Sequence, residues 1–450
     1  MKVLLVSANT HAQPYPVYPL GLDYVAGAIE DRHQVQIVDM NVQADGNSLF
    51  DVIDGFAPEV IGVSIRNIDN LDASDPRGFF SSYRELTDAI RTRSLAPLVL
   101  GGSGFTLFPA ETLRALGADY GIIGEGERLS VLLDAMECRK EVPSIPGIVT
   151  PNSPGVTPPI PWEHAIARKF NPRLPHVAYY LEKGGMLNLQ TKRGCSFHCI
   201  YCSYPHIEGR TLRLFAPDEV AQTARRLQEA GAKYFFVTDA AFNSSVPHSI
   251  AVAKSFKQAG VSIPWGAFFA PLSPGNDYFR ILADSGLTHV EFGTESLSDP
   301  VLKAYRKPFG AGNVFKAHSA AIEAGLHVAH YFLLGGPGEN SATVCETLER
   351  IEQLDKCVLF FFCAMRILPQ TELHDIARKD GQAQESRNLL EPVFYQSPLI
   401  GSRKIMARVQ ERARGRLNWI IGDGGDHTAG VISRMHARGY SGPLWEYLIR

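Results

Sequence analysis

Lys192-Arg193-Gly194-Cys195-Ser196-Phe197-His198-Cys199-Ile200-Tyr201-Cys202 sets three thiols at CxxxCxxC spacing, behind an apolar segment (Met186, Leu187, Leu189) and a glycine-bearing turn. That spacing lets the thiols converge in a loop leaving a strand. Thiolate is a soft ligand that favours iron, zinc or copper, and Fe-S clusters are held by thiolates of this kind. The number of thiols bears on the choice of metal. A structural zinc site normally takes four protein ligands, and the nearest other cysteines, Cys138 and Cys345, are remote in sequence. Three thiolates on a [4Fe-4S] cluster leave one iron open for a substrate or cofactor. Three free thiols, or a zinc site completed by His198 or His206, are the alternatives.

The rest of the composition limits the classes open to the chain. At 450 residues it exceeds one typical domain, so two or three are expected. Hydrophobic residues at 45% and charged residues at 20% describe a foldable globular chain. A formal net charge of -3 gives no basic field for nucleic acid. Seven cysteines, three of them clustered, do not suggest a disulfide framework, and cluster-holding thiols must stay reduced. Val3-Leu4-Leu5-Val6 reads as a short strand rather than a signal peptide, and no apolar run has transmembrane length. Cytoplasm is the expected compartment.

Upstream of the thiols, short apolar strands alternate with helices. Val3–Val6, Val35–Asp39, Val60–Ser64, Pro97–Gly102 and Tyr120–Ile123 read as strands, with helices over Leu22–Glu30, Tyr83–Arg91 and Glu111–Leu116 between them. This predicts an N-terminal doubly wound sheet of about five parallel strands, with ligands at the strands' carboxyl ends. Gly101-Gly102 and Gly124-Glu125-Gly126 follow two of those strands, where backbone can approach a bound group closely. Ser64 ends another strand, and the polar loop Ile65-Arg66-Asn67 faces the same crevice. The first strand runs into Ser7-Ala8-Asn9 and not Gly-x-Gly-x-x-Gly, which disfavours a nicotinamide or flavin dinucleotide. The proline-dense stretch from 142 to 161 then reads as a linker.

After the thiols the alternation resumes with larger helices. Strands are expected at 234–239, 265–269, 289–295, 328–334 and 358–362, six in all with the one before Cys195. Asp239 and Asn243 fall at or just beyond a strand end, and Glu291 and Glu295 share one face of their strand. Residues 403–417 read as a basic amphipathic helix, with Lys404, Arg408 and Arg412 beside Ile405, Val409 and Ala413. A last helix over 427–438 and the segment 445–449 predict a small, mainly helical cap over the barrel.

The CxxxCxxC run with Tyr201 before its last cysteine resembles the signature of radical S-adenosylmethionine (SAM) enzymes. Pro19-Leu20-Gly21-Leu22, Val63-Ser64, Gly101-Gly102 and Gly124-Glu125-Gly126-Glu127 resemble the cobalamin-binding domain that precedes the radical domain in the class B methylase branch. The resemblance implies a cobalamin-binding-like Rossmann domain (1–140), a linker (141–180), a partial (β/α)6 radical SAM barrel (181–375) and a C-terminal cap (376–450). It implies Cys195, Cys199 and Cys202 as cluster ligands, with Tyr201, Asp239, Asn243, Glu295, Ser296, Gly335, Gly336 and Arg366 on the SAM side. Ser64, Arg66, Asn67, Gly101, Gly102, Gly124, Glu125 and Gly126 fall on the cobalamin side. The cobalt-ligating Asp-x-His-x-x-Gly loop of many cobalamin proteins is missing; Asn9-Thr10-His11-Ala12-Gln13 stands in that region. The implied activity is C-methylation of an unactivated carbon in a small molecule, natural product or lipid-like, through a 5'-deoxyadenosyl radical, with a flavodoxin or ferredoxin as electron donor. Radical chemistry without net methylation (cyclisation, rearrangement or aminocarboxypropyl transfer) is the alternative, and an Fe-S nucleic-acid regulator a remote one.

Overall fold

The computed structural model describes residues 1–42, 47–138, 145–153, 161–162, 166, 168–273, 275, 277–384 and 388–449. Most of the predicted linker's prolines lie outside the described residues. β1 (Lys2–Ser7), β2 (Gln34–Asp39), β3 (Val60–Ser64), β4 (Leu98–Gly101) and β5 (Tyr120–Ile122) form a parallel sheet in the order β2-β1-β3-β4-β5. Val3, Leu4, Leu5 and Val6 are at most 2% exposed because helices cover both faces of β1, so its sequence is continuously apolar rather than alternating. β6 (Ile148–Val149) adds an antiparallel sixth strand on β5, so the first sheet continues past residue 140. The strand order reverses between β1 and β3, which places the ligand crevice at their carboxyl ends.

The second sheet begins with β7 (Met186–Leu189). β8 (Lys192–Arg193) and β9 (Arg213–Leu214) pair antiparallel and frame the thiol loop between them. β10 (Tyr234–Val237), β11 (Trp265–Phe269), β12 (Leu287–Glu295), β13 (His327–Leu334) and β14 (Cys357–Cys363) follow, each parallel to its neighbour. These and β7 are the six expected strands. β15 (Met365–Arg366) and β16 (Phe394–Tyr395) form a small ribbon, and β17 (Trp419–Ile421) then joins β14 in parallel. The tail thus contributes a seventh barrel strand to what the sequence predicts as a mainly helical cap. Trp419-Ile420-Ile421 offers apolar side chains to both faces, which suits a strand between lumen and helix layer.

Alternation along the strands separates two environments. Val290, Phe292, Val328, Phe332, Leu359 and Phe361 point outward into the main core beneath the helices. Ala329, Val358, Ile420 and Trp445 pack inside the barrel. The helix Ser402–Ala413 docks on the main core through Ile405 and Val409, both fully buried, as its periodicity requires. Among the described residues no helix is long and apolar enough to cross a membrane.

Candidate functional site at the two carboxyl edges

Three backbone devices hold the thiol loop. Gly194 has φ +89, and a Cβ there would lie 2.2 Å from the Thr211 carbonyl oxygen, so only glycine turns the chain into the loop. The Cys195 amide donates to the Gly209 carbonyl (3.1 Å) and the Ile200 amide to that of Tyr305 (3.2 Å). Asp239 accepts from the Thr191 amide (2.8 Å), the Thr191 hydroxyl (2.5 Å) and Lys192 Nζ (2.7 Å), fixing the strand that enters the loop. Asp239, expected on the SAM side, is thus bonded to the two residues that lead into the thiol loop.

All three thiols are free of disulfides, and Cys195 is 6% exposed. Burial pushes each of them above the usual thiol range, Cys202 to about 12. A cation and a carboxylate stand beside them: Glu295 Oε1 accepts from the Tyr201 hydroxyl (2.6 Å) and from Lys307 Nζ (3.1 Å). Burial alone would lower the Lys307 ammonium, but Glu295 and the Cys199 thiol outweigh it and hold it above its ordinary range. Glu295 sits at φ +62, at an irregularity in the β12–β13 register, which aims its side chain from the strand end toward the thiols.

The donor set fits a multi-iron cluster better than one ion. Among the described residues the group of three ligand atoms gathered within 4.8 Å is His318, His330 and Cys357. The three loop thiols fall short of the four protein ligands of a structural zinc, and three thiolates on one loop suit an iron–sulfur cluster. His198, offered as a zinc ligand by the sequence, is exposed and within 3.1 Å of Arg210. The His318 group lies on the outer face of the barrel. There Thr294, His330, His318 and Asp355 form a hydrogen-bonded chain, at 2.7, 3.0 and 3.5 Å in turn.

Several residues expected on the SAM side are occupied elsewhere. Asn243 spends its amide on both backbone groups of Ala270 (2.7 and 3.0 Å), and Ser296, fully buried, pairs with Thr347 and the Ser298 amide. Arg366 donates to Asp69 of the first domain (2.7 Å) and to the carbonyls of Ile367 and Leu389, so it ties the domains together. Gly335 needs glycine for φ +91. A Cβ on Gly336 would lie 2.5 Å from Met365 and 2.6 Å from the Tyr305 hydroxyl, so internal packing accounts for it. Glu339 accepts from the Gly335 amide and the Tyr305 hydroxyl and leaves Oε1 without a partner; burial pushes it up to about 7.

A cavity of about 500 Å³ opens at the first sheet's carboxyl edge. Ser64, Arg66, Gly101, Gly102, Gly124, Glu125 and Gly126, expected on the cobalamin side, line it, while Asn67 lines a neighbouring cavity of about 230 Å³. Its far wall belongs to the barrel: Asn188, Gln190, Tyr204 and Thr238. Asn9 also lines it and leaves a buried Oδ1 without a partner, an acceptor available to a polar ligand. Among the described residues that line it there is no histidine. The bare glycine edge and the free Asn9 acceptor would hold the polar rim of a cobalamin.

Glu125 has a second role that its sequence did not announce. Its carboxylate accepts from Arg193 (2.5 Å), Arg213 (2.8 Å) and the Trp162 amide (2.7 Å), while Arg193 also reaches Glu127 (2.7 Å). Burial would raise Glu125, but Arg193 and these donors together hold it below the usual carboxylate range. Asp23–Arg168 (2.8 Å) and Asp39–Tyr180 (2.7 Å) are further buried ties across the same boundary. Spacing carries no signal for such partners, which meet only when the domains dock.

The B12 binding domain family model matches residues 7–133, and the Radical SAM superfamily model residues 189–351. Tryptophan 2-C-methyltransferase of Streptomyces laurentii is 23% identical over 428 residues, covering 79% of this chain and 71% of that protein. Cytidylyl-2-hydroxyethylphosphonate methyltransferase of Streptomyces wedmorensis is 25% identical over 448 residues, covering 84% and 82%. The fold is that of TsrM, a radical SAM methyltransferase from Kitasatospora setae, at 21% identity and TM-scores of 0.87 and 0.86 over 99% of this chain and 97% of that one. One of those structures holds tryptophan and a SAM analog, the other cobalamin and a [4Fe-4S] cluster. The chain thus carries a B12 binding domain match on its first sheet and, after it, a Radical SAM superfamily match on its barrel.

Proposed function

We propose that the protein is a cobalamin-dependent radical SAM enzyme that transfers a methyl group to an unactivated carbon of a small molecule. The observation that carries this reading is the shared cavity: the first sheet's glycine-lined edge and the barrel's Asn188, Gln190 and Thr238 enclose one space beside the thiol loop. Cys195, Cys199 and Cys202 would hold a [4Fe-4S] cluster, and Ser64, Arg66 and the 101–102 and 124–126 turns would hold cobalamin. When bound, these groups supply reductive cleavage of SAM and carriage of the methyl group. Glu295 and Lys307, held together beside the thiols, offer an acceptor and a donor to the amino-acid end of SAM. The buried pairs Glu125–Arg193 and Asp69–Arg366 fix the spacing of the two edges and exclude water from the seam. The names of the curated relatives, methyltransferases on tryptophan and on a phosphonate, support the reaction class and leave the substrate open. The reading also calls for a one-electron donor such as flavodoxin or ferredoxin and for a reducing compartment, the cytoplasm.

Anaerobic reconstitution with iron, sulfide and hydroxocobalamin tests it. Four iron and one cobalt per chain, with S-adenosylhomocysteine among the products of SAM turnover, are expected. Four iron without retained cobalt would overturn the cobalamin assignment.

A further inference from the structure

Three metal-ligating side chains meet on the outer face of the barrel, and the proposed methyl transfer uses none of them. His318 comes from the helix Ala311–Glu323, His330 from β13 and Cys357 from the start of β14. Val328 pairs with Cys357 and His330 with Leu359, so His330 and Cys357 lie diagonally on one face of neighbouring strands, under the helix that brings His318. The three are 3%, 0% and 0% exposed, and their ligand atoms all lie within 4.8 Å of one another. Phe292 stacks on His330 at 5.3 Å and 27°, so the surroundings are apolar.

Hydrogen bonds outside the group turn the ring nitrogens inward. The Asp355 carboxylate can only accept, so His318 carries its proton on Nε2, 3.5 Å away, and presents a bare Nδ1 to His330 Nε2 at 3.0 Å. Thr294 Oγ1 stands 2.7 Å from His330 Nδ1 and can donate or accept. A His330 proton on Nε2 fills the space between the rings. Moved to Nδ1, it is accepted by Thr294, and two lone pairs then converge beside the Cys357 thiol. Metal-ligating imidazoles are held in this way, each outer N–H on an oxygen.

We propose that His318 Nδ1, His330 Nε2 and the Cys357 thiolate bind one zinc ion, with an oxygen from the Leu354 carbonyl or a water in the fourth position. The Leu354 oxygen is 3.5 Å from Cys357 Sγ. Sulfur and imidazole select against magnesium and calcium. Charge selects among the softer ions: the thiolate and the Asp355 carboxylate together balance zinc, whereas copper(I) would leave a net negative charge in an apolar core. Binding releases the thiol proton, moves the His330 proton to Nδ1 and transfers no electron. The Asp355 side chain is 73% exposed and marks the route from solvent. The ion would staple the helix Ala311–Glu323 to β13 and β14. Thr294, which orders His330, directly precedes Glu295, so the staple would also brace the strand end that presents Glu295 to the thiol loop.

The loop thiols can also take zinc, so the test must tell the two places apart. The full chain is reconstituted with iron and sulfide, equilibrated with a slight excess of zinc and desalted, and its metals are counted and its zinc X-ray absorption recorded. Four iron and one zinc per chain are expected, the zinc with one sulfur at ~2.3 Å and nitrogen or oxygen neighbours at ~2.0 Å. Zinc with three sulfurs would belong to the thiol loop, and that result or the absence of retained zinc overturns the proposal. Cys357→Ala should keep four iron and bind zinc at least tenfold more weakly; zinc held as in the wild type also overturns it. If that variant loses its iron as well, His318→Gln decides by the same count. Retained cobalt and methylated products have no part in this readout, so the site stands or falls apart from the methyl-transfer reading.

Discussion

The two carboxyl edges that face each other in this protein are built from the same βα alternation and finished in opposite ways. The first sheet ends in glycines and a void: Gly101 has nothing nearer its absent Cβ than 3.9 Å, and Asn9 keeps an acceptor unspent. The barrel edge is crowded, with Asp239, Glu295, Lys307 and Lys192 all bonded to one another or to the thiol loop. An edge that receives a large preformed cofactor needs space and near-naked backbone. One that assembles a cluster needs side chains locked before the metal arrives. Secondary structure is shared; what differs is which residues the strands end on.

The largest effect should come at the crowded edge. Cys199→Ala removes one of three soft ligands, and bound iron and all SAM cleavage are expected to vanish while cobalamin uptake persists, read by iron and cobalt content. Joint loss of both would show that the edges are not independent. Next, Arg193→Met leaves Glu125 and Glu127 buried without their shared cation. Breaking a buried pair in this way costs about 3–5 kcal/mol, measured by urea unfolding, and an unchanged midpoint would contradict a rigid seam.

A smaller effect belongs to Glu339. Burial raises its carboxyl to about 7, so the folded state holds a proton that the unfolded chain has released above the ordinary carboxylate value. Its contribution is complete below that ordinary value and is lost as pH rises to about 7, a change on the order of 3 kcal/mol. Glu339→Gln should flatten that part of the pH-stability curve relative to wild type. The smallest effect sits at the spare edge: Gly101→Val fills the cavity without strain at φ, and cobalamin affinity should fall about tenfold, ~1.4 kcal/mol, with four iron retained. Gly102→Ala offers the contrast. A Cβ there, at φ +98, would stand 2.5 Å from the Ile65 carbonyl oxygen, so folding should suffer along with binding.

Much of this was legible from the chain. Continuous apolar runs mark strands covered on both faces, and period-four rows mark helices, so both sheets were readable wherever an element was long or repeated. The two small ribbons escaped, and so did a short edge strand in each large sheet. Ile148–Val149 pairs only because β5 offers an open edge, and Trp419–Ile421 only because β14 does. At the site, the thiols and the glycine turns announced themselves because their chemistry depends on local spacing. Asn243, Ser296 and Arg366 stood at plausible strand ends, yet their partners are Ala270, Thr347 and Asp69, which no spacing rule connects to them.

The sequence by itself determined the chemistry that resides in contiguous residues: three soft ligands on one loop, glycines where backbone must turn or be approached, and the order of strands and helices. Only the tertiary structure decided what depends on two distant segments meeting. It brought Glu125 to Arg193, set Trp445 beneath Glu291, turned Phe268 into the lumen and Phe269 out of it, and enclosed one cavity between two domains. Ligand spacing and backbone dihedral preference act within a few residues. Burial, ion pairing and cavity shape are properties of the packed whole.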